Sequence, residues 1–123
     1  MDHNVGRGDV YLVQMPVQDN AIPHSVEQGW RPVVVVSSNI GCRTSGVVMV
    51  CPITTKVKNL SCNVDTTWTM KDKPSQILCN QIVTMPKAQM TRYKGYIPEE
   101  EMRKVNIAIL ISLGIKVDYS EVR

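Results

Sequence analysis

The chain has 123 residues, 43% hydrophobic and 20% charged, with a formal net charge of +3. That suits a single domain spanning 1–123 with one core, and argues against disorder and against a dedicated, strongly basic DNA-binding domain. No stretch approaches the roughly 18 apolar residues of a membrane span, and the opening MDHNVGRGDV has no apolar signal-peptide region, so a cytoplasmic protein that does not enter membranes is expected.

Residues 8–14, GDVYLVQ, alternate as a first strand. Met15 to Trp30 carries two prolines, a glycine and many polar residues without a sustained period, which predicts a loop, long for so small a domain. Val33 to Ser37 reads as a buried second strand, and SSNIGCRTSG as a polar turn. Val47 to Ile53 is a third strand, with Pro52 marking an edge or bulge. A basic loop from Thr54 to Asn59 follows, then a weaker strand over Ser61–Thr69, a turn at Lys71–Pro74, and one or two strands within Ser75–Thr84.

The end is helical. Pro98 suits a first helical position, Glu99, Glu100 and Glu101 suit the positive end of the helix dipole, and Gly114 supplies a stop. Met102, Val105, Ile109 and Leu113 share a face, yet Ile107, Ala108, Leu110 and Ile111 make the second half apolar nearly all round. A second covering surface is implied, most economically a homodimer. Short strands followed by one helix predict a mainly β fold with a C-terminal helix, built as a small, strongly bent barrel. Its core is aliphatic, because the chain has no Phe. Cys42, Cys51, Cys62 and Cys79 lack the close pairing of a zinc site, so free thiols and no metal are expected.

Arg31 stands at the mouth of the valine strand. It could be an ion-paired strand terminus or an anion-binding group, since a guanidinium presents a planar fork that matches a phosphate. Pro32 restricts Arg31 to extended backbone and stiffens its base. Thr54 and Thr55 follow a buried strand, where a hydroxyl either satisfies the backbone or donates to a phosphate oxygen. Glu27 and His24 are titratable and precede Arg31, so either can exchange protons near a bound phosphate. Trp30 and Tyr11 are either core rings or stacking platforms for bases. Lys56, Lys58, Lys71, Lys73, Lys87, Arg92 and Lys94 fall in predicted loops or turns, where a charge is usually just solvated.

Five segments in order resemble the MazF/PemK family of bacterial toxins: RGDVYLV at 7–13, EQGWRPVVVVSSN at 27–39, VVMVCPITTK at 47–56, ILCNQIVTM at 77–85 and SLGI at 112–115. The resemblance implies an SH3-like small β-barrel, a homodimer, and a cofactor-free, metal-independent endoribonuclease (an mRNA interferase) that cuts single-stranded RNA and not DNA. It also implies a MazE-like antitoxin whose acidic segment fills the RNA groove. On matching positions, the family's catalytic arginine and threonine fall on Arg31 and Thr54, and its base-contacting serine and glutamine on Ser25 and Gln81. Thr55 and Lys56 join the RNA-binding candidates beside Thr54. Where family members show Gly-Ser-Glu-Gln before the arginine, this chain reads His24-Ser25-Val26-Glu27-Gln28, so Ser25 or Glu27 matches, not both. Two competing expectations are a toxin of the same fold that poisons gyrase and a non-catalytic SH3-like RNA-binding module.

Overall fold

The computed structural model describes residues 4–15 and 29–116. Most of the expected long loop, with His24, Ser25 and Glu27, lies outside the described residues. The elements are β1 (Asp9–Gln14), β2 (Trp30–Val35), α1 (Asn39–Thr44), β3 (Val47–Thr54), β4 (Asn63–Thr66), β5 (Ser75–Leu78), β6 (Val83–Pro86), a 3₁₀ turn (Lys87–Gln89), β7 (Arg92–Tyr96) and α2 (Glu99–Ser112). The expected mainly β fold with a C-terminal helix is the one that forms.

All strand pairs are antiparallel, in the order β4-β5-β3-β2-β1-β7, with β6 also on β3. β3 is the hub. One edge carries β2; the other carries β6 opposite Val47–Val50 and β5 opposite Ile53 and Thr54. Pro52 is therefore on a central strand, not an edge. β5 and β6 leave Cys51 and Pro52 unpaired on that side, which is where a residue without an N–H is tolerated.

Both faces of the sheet are covered, and the alternation of β1 divides between them. Val10, Val34, Cys51, Ile53 and Ile77 pack beneath α2, against Met102, Val105 and Ala108. Tyr11, Val13, Val33, Val35, Val48 and Val50 form a second cluster with Cys42, Met85 and Met90. The outermost strands meet through a side chain: Trp68, just beyond β4, donates its indole N–H to the Lys94 carbonyl at 2.8 Å. Gly95 makes room, because a Cβ there would lie 3.1 Å from the Trp68 Nε1, and its φ of +115 favours glycine.

Several boundaries differ from the expectations. β2 starts at Trp30 because Trp30, Arg31 and Pro32 ladder against Gln14, Val13 and Leu12. The expected polar turn contains α1, whose N-cap Ser38 accepts from the Gly41 N–H at 3.0 Å. Strand β7 was not anticipated, since RYKGY is exposed or half-buried throughout and lacks alternation. Pro98 is the N-cap, with ψ 150, not the first helical residue. Leu113 is 59% exposed instead of facing the core, and Glu101 takes an inward position. The Glu101 carboxylate accepts from the Thr66 hydroxyl at 2.7 Å and from the Thr67 N–H at 3.1 Å, tying α2 to the end of β4.

Glu101→Ala would leave the Thr66 hydroxyl and the Thr67 N–H without that acceptor, at a cost of about 1–3 kcal/mol. Urea unfolding should show the midpoint falling by that equivalent with the slope unchanged. An unaltered midpoint would show that the helix is held by its apolar face alone.

Candidate functional site

The site begins with strand register. In an antiparallel ladder, directly opposed residues project to the same face. Val13 opposes Arg31 across β1–β2, Thr54 opposes Gln76 across β3–β5, and Gln76 opposes Asp65 across β5–β4. The last β2–β3 pair is Val33 with Pro52; followed two residues further, that register sets Arg31 across from Thr54. Val13, Arg31, Thr54, Gln76 and Asp65 thus form one row over five strands, at the rim of the face that carries Val33 and Val35. Neighbouring strands lie about 5 Å apart, well within the reach of an arginine side chain. The β2–β3 ladder stops two residues short of this row, so Arg31 and Thr54 lie beyond its last pair.

Arg31 is half-buried, and its Nη1 donates to the Trp30 carbonyl at 3.2 Å. Among the described residues no carboxylate pairs with it. A guanidinium has five N–H donors, so the fork retains capacity for an anion. The Thr54 Oγ1 accepts from the Lys56 N–H at 3.0 Å. That bond satisfies the backbone where β3 ends and fixes the oxygen, and the hydroxyl hydrogen is left to donate. The structural bond therefore does not use up the donor that the expected phosphate contact requires.

Gln76 is a residue that sequence reasoning missed. Although buried, its Nε2 donates to Asp65 Oδ1 at 2.8 Å, and its Oε1 accepts from the Lys58 N–H at 2.9 Å and the Asn63 Nδ2 at 3.1 Å. This network ties the loop leaving Thr54 to β4 and β5. The available signal was a lone amide inside the buried strand SQIL.

The other candidates separate. Thr55 and Lys56 are exposed beside Thr54. Gln81 is exposed in the turn between β5 and β6, its N–H donating to the Leu78 carbonyl at 3.2 Å. β6 starts opposite Val50, about 13 Å along β3 from Thr54, so Gln81 is off the row. Trp30 alternates to the opposite face from Arg31, where the Arg92 guanidinium lies 3.7 Å from its ring centroid.

Tyr11 requires correction. It is fully buried, with its ring edge-on to Tyr93 at 5.7 Å, and cannot serve as a stacking surface for a base. The loop cations also differ among themselves: Lys87 Nζ donates to the Cys42 carbonyl at 2.6 Å, Arg92 stacks on Trp30, and Lys56 and Lys58 are exposed. All four cysteines are free. Among the described residues no group of His, Cys, Asp or Glu could hold a metal ion.

Comparison with known proteins gives a consistent picture. A family profile described as PemK-like, MazF-like toxin of type II toxin–antitoxin system matches residues 6–113. An endoribonuclease MazF of Staphylococcus saprophyticus is 35% identical over 114 residues, covering 89% of this chain and 91% of that protein. Among solved structures, an endoribonuclease from Mycobacterial species superposes with a TM-score of 0.75 at 21% identity, covering 94% and 97% of the two chains. A MazE–MazF structure from Deinococcus radiodurans gives 0.71 at 16% identity, covering 94% and 100%. At these identities the structural likeness is one of fold.

Burial, and next the Asp9 carboxylate, push the Tyr11 phenol up to about 12. The folded chain therefore holds this proton more tightly than the unfolded chain, whose tyrosines titrate near ~10. The resulting stability is complete below pH ~10 and is lost as pH rises toward about 12. Denaturation at successive alkaline pH values should show that decline, and Tyr11→Phe should flatten it. A decline of equal steepness in Tyr11→Phe would contradict this assignment.

Proposed function

The chain belongs to the PemK-like, MazF-like toxins of type II toxin–antitoxin systems, and on that premise we propose that it is a metal-independent endoribonuclease that cuts single-stranded RNA between Arg31 and Thr54. The observation that supports this reading is the β2–β3 register, which, carried two residues beyond its last pair, brings Arg31 and Thr54 to one face.

The reaction is attack of a ribose 2′-OH on its own 3′ phosphate. The 2′ oxygen bonds to phosphorus, the bond to the 5′ oxygen breaks, and the products carry a 2′,3′-cyclic phosphate and a 5′-OH. The nucleophile belongs to the substrate, so proximity is built in and the chemistry does not require a metal. The protein must stabilise charge on the phosphorane and move two protons.

Arg31 fits the first task as a donor that remains charged, with the Thr54 hydroxyl as a second donor. With a pKa above ~12, Arg31 is a clamp that hydrogen-bonds the leaving 5′ oxygen as charge builds there, not a base, and the proton for that oxygen is returned by the group that took the 2′ proton. Glu27 or His24, in the segment before Arg31, takes the base role. Ser25, Gln81, Thr55 and Lys56 remain as RNA contacts, with Gln81 reaching a nucleotide further along β3; the Trp30 ring, on the opposite face against Arg92, leaves that set. DNA, lacking the 2′-OH, is inert.

The same groove would receive an acidic segment of a MazE-like antitoxin. Exposed Ile111, Leu113 and Ile115 at the end of α2 support a homodimer. The site of action is the cytoplasm, where mRNA is met; no helix of the described residues is long and apolar enough to cross a membrane.

Incubation of the dimer with long mixed-sequence RNA in EDTA should give discrete fragments ending in 2′,3′-cyclic phosphate. Arg31→Ala should reduce the rate by about 10²–10³, and Thr54→Val by a smaller factor. Intact RNA from folded wild type would overturn the reading in favour of gyrase poisoning or binding without turnover.

A further inference from the structure

Arg31 acts from the end of a strand, where position is hardest to hold. β2 begins at Trp30, and on its β3 side the ladder stops at Val33. Residues 30 and 31 are therefore laddered to β1 alone, through Gln14 and Val13. Gly29, at φ +92, turns the chain immediately before them, with its carbonyl accepting from the Met15 N–H at 3.0 Å.

One contact reinforces this end from the back of the sheet. Arg92, at the start of β7 and opposite Leu12, lays its guanidinium 3.7 Å from the Trp30 ring centroid. On the front, Arg31 Nη1 donates to the carbonyl of the same Trp30 at 3.2 Å. Trp30 is thus gripped by its ring on one face and supplies the acceptor that orients Arg31 on the other.

We propose that Arg92 is a positioning residue for RNA cleavage, holding the Trp30 peptide so that the Arg31 guanidinium is presented in one orientation to the phosphate. This rests on the assignment of Arg31 as the phosphate clamp. The contact needs a cation above an indole face, which lysine also supplies, though without the planar stacking of arginine. Arg92 is exposed and lies outside both apolar clusters, so its replacement leaves the core untouched. Small losses of alignment at a reacting centre lower turnover more than binding.

Two measurements on wild type, Arg92→Gln and Arg92→Lys test the proposal. Steady-state cleavage of a defined RNA should show kcat about tenfold lower in Arg92→Gln with KM little changed, and most of the loss restored in Arg92→Lys. In an Arg31→Ala background Arg92→Gln should cost nothing further. Independently of cleavage, the Arg31 Nε–H order parameter from ¹⁵N relaxation should fall in Arg92→Gln and recover in Arg92→Lys. An unchanged Arg31 order parameter would overturn the proposal whether or not RNA is cut. So would a raised KM with unaltered kcat, which would make Arg92 an RNA contact instead. Intact RNA from wild type counts against the endoribonuclease reading alone, and the relaxation measurement still decides this one.

Discussion

β3 is paired along both edges, and the placement of the site follows from that. One edge fixes β2, and with it the height of Arg31; the other is shared by β6 and β5, and the second of these sets Gln76 beside Thr54. A slip of one residue in either register would send the affected side chains to the opposite face. Such slips are opposed by the two apolar clusters, since Val33 and Val35 belong to one and Val34 to the other. The core thereby orients the site: the valines that exclude water also determine which side Arg31 faces.

The end of the β2–β3 ladder is as important as its register. Carried two residues further, the ladder would pair Arg31 with Thr54 directly. Instead the strands stop pairing at Val33 and Pro52, and Arg31 and Thr54 stand on separate supports. Arg31 is held through β1 and the Trp30 peptide; Thr54 is held through β5, with its oxygen fixed by the Lys56 N–H. Beyond Thr54, the Gln76 network with Asp65, Asn63 and the Lys58 N–H anchors the departing loop. Side chains held at strand ends in this way suit the proposed reaction, whose catalyst would supply positioned charge more than covalent chemistry.

Much of this was legible in the sequence, for physical reasons. Strands β1, β2 and β3 carry apolar runs that only burial explains, and α2 carries an acidic first turn and a terminal glycine. Arg31 stood out because a charge beside a proline at the mouth of a valine run has few structural explanations. β7 was not legible, because it is an exposed strand rich in charge, identified only by the neighbours that pair with it. Tyr11 misled because alternation in GDVYLVQ assigns two faces without saying that both are covered. Leu113 is exposed and Glu101 inward, because a carboxylate that accepts from two donors can be buried. Trp30 was read as a core ring or a base-stacking platform, and the partner its ring meets is 62 residues away, at Arg92.

The central claim is that Arg31 and Thr54 act on one phosphate. A double-mutant cycle in kcat/KM, from Arg31→Ala, Thr54→Val and the combined variant on one RNA, tests it directly. Shared action predicts that the two losses fail to add, with a coupling of about 1 kcal/mol or more. Losses that add to within about 0.5 kcal/mol would show two independent sites and contradict the account.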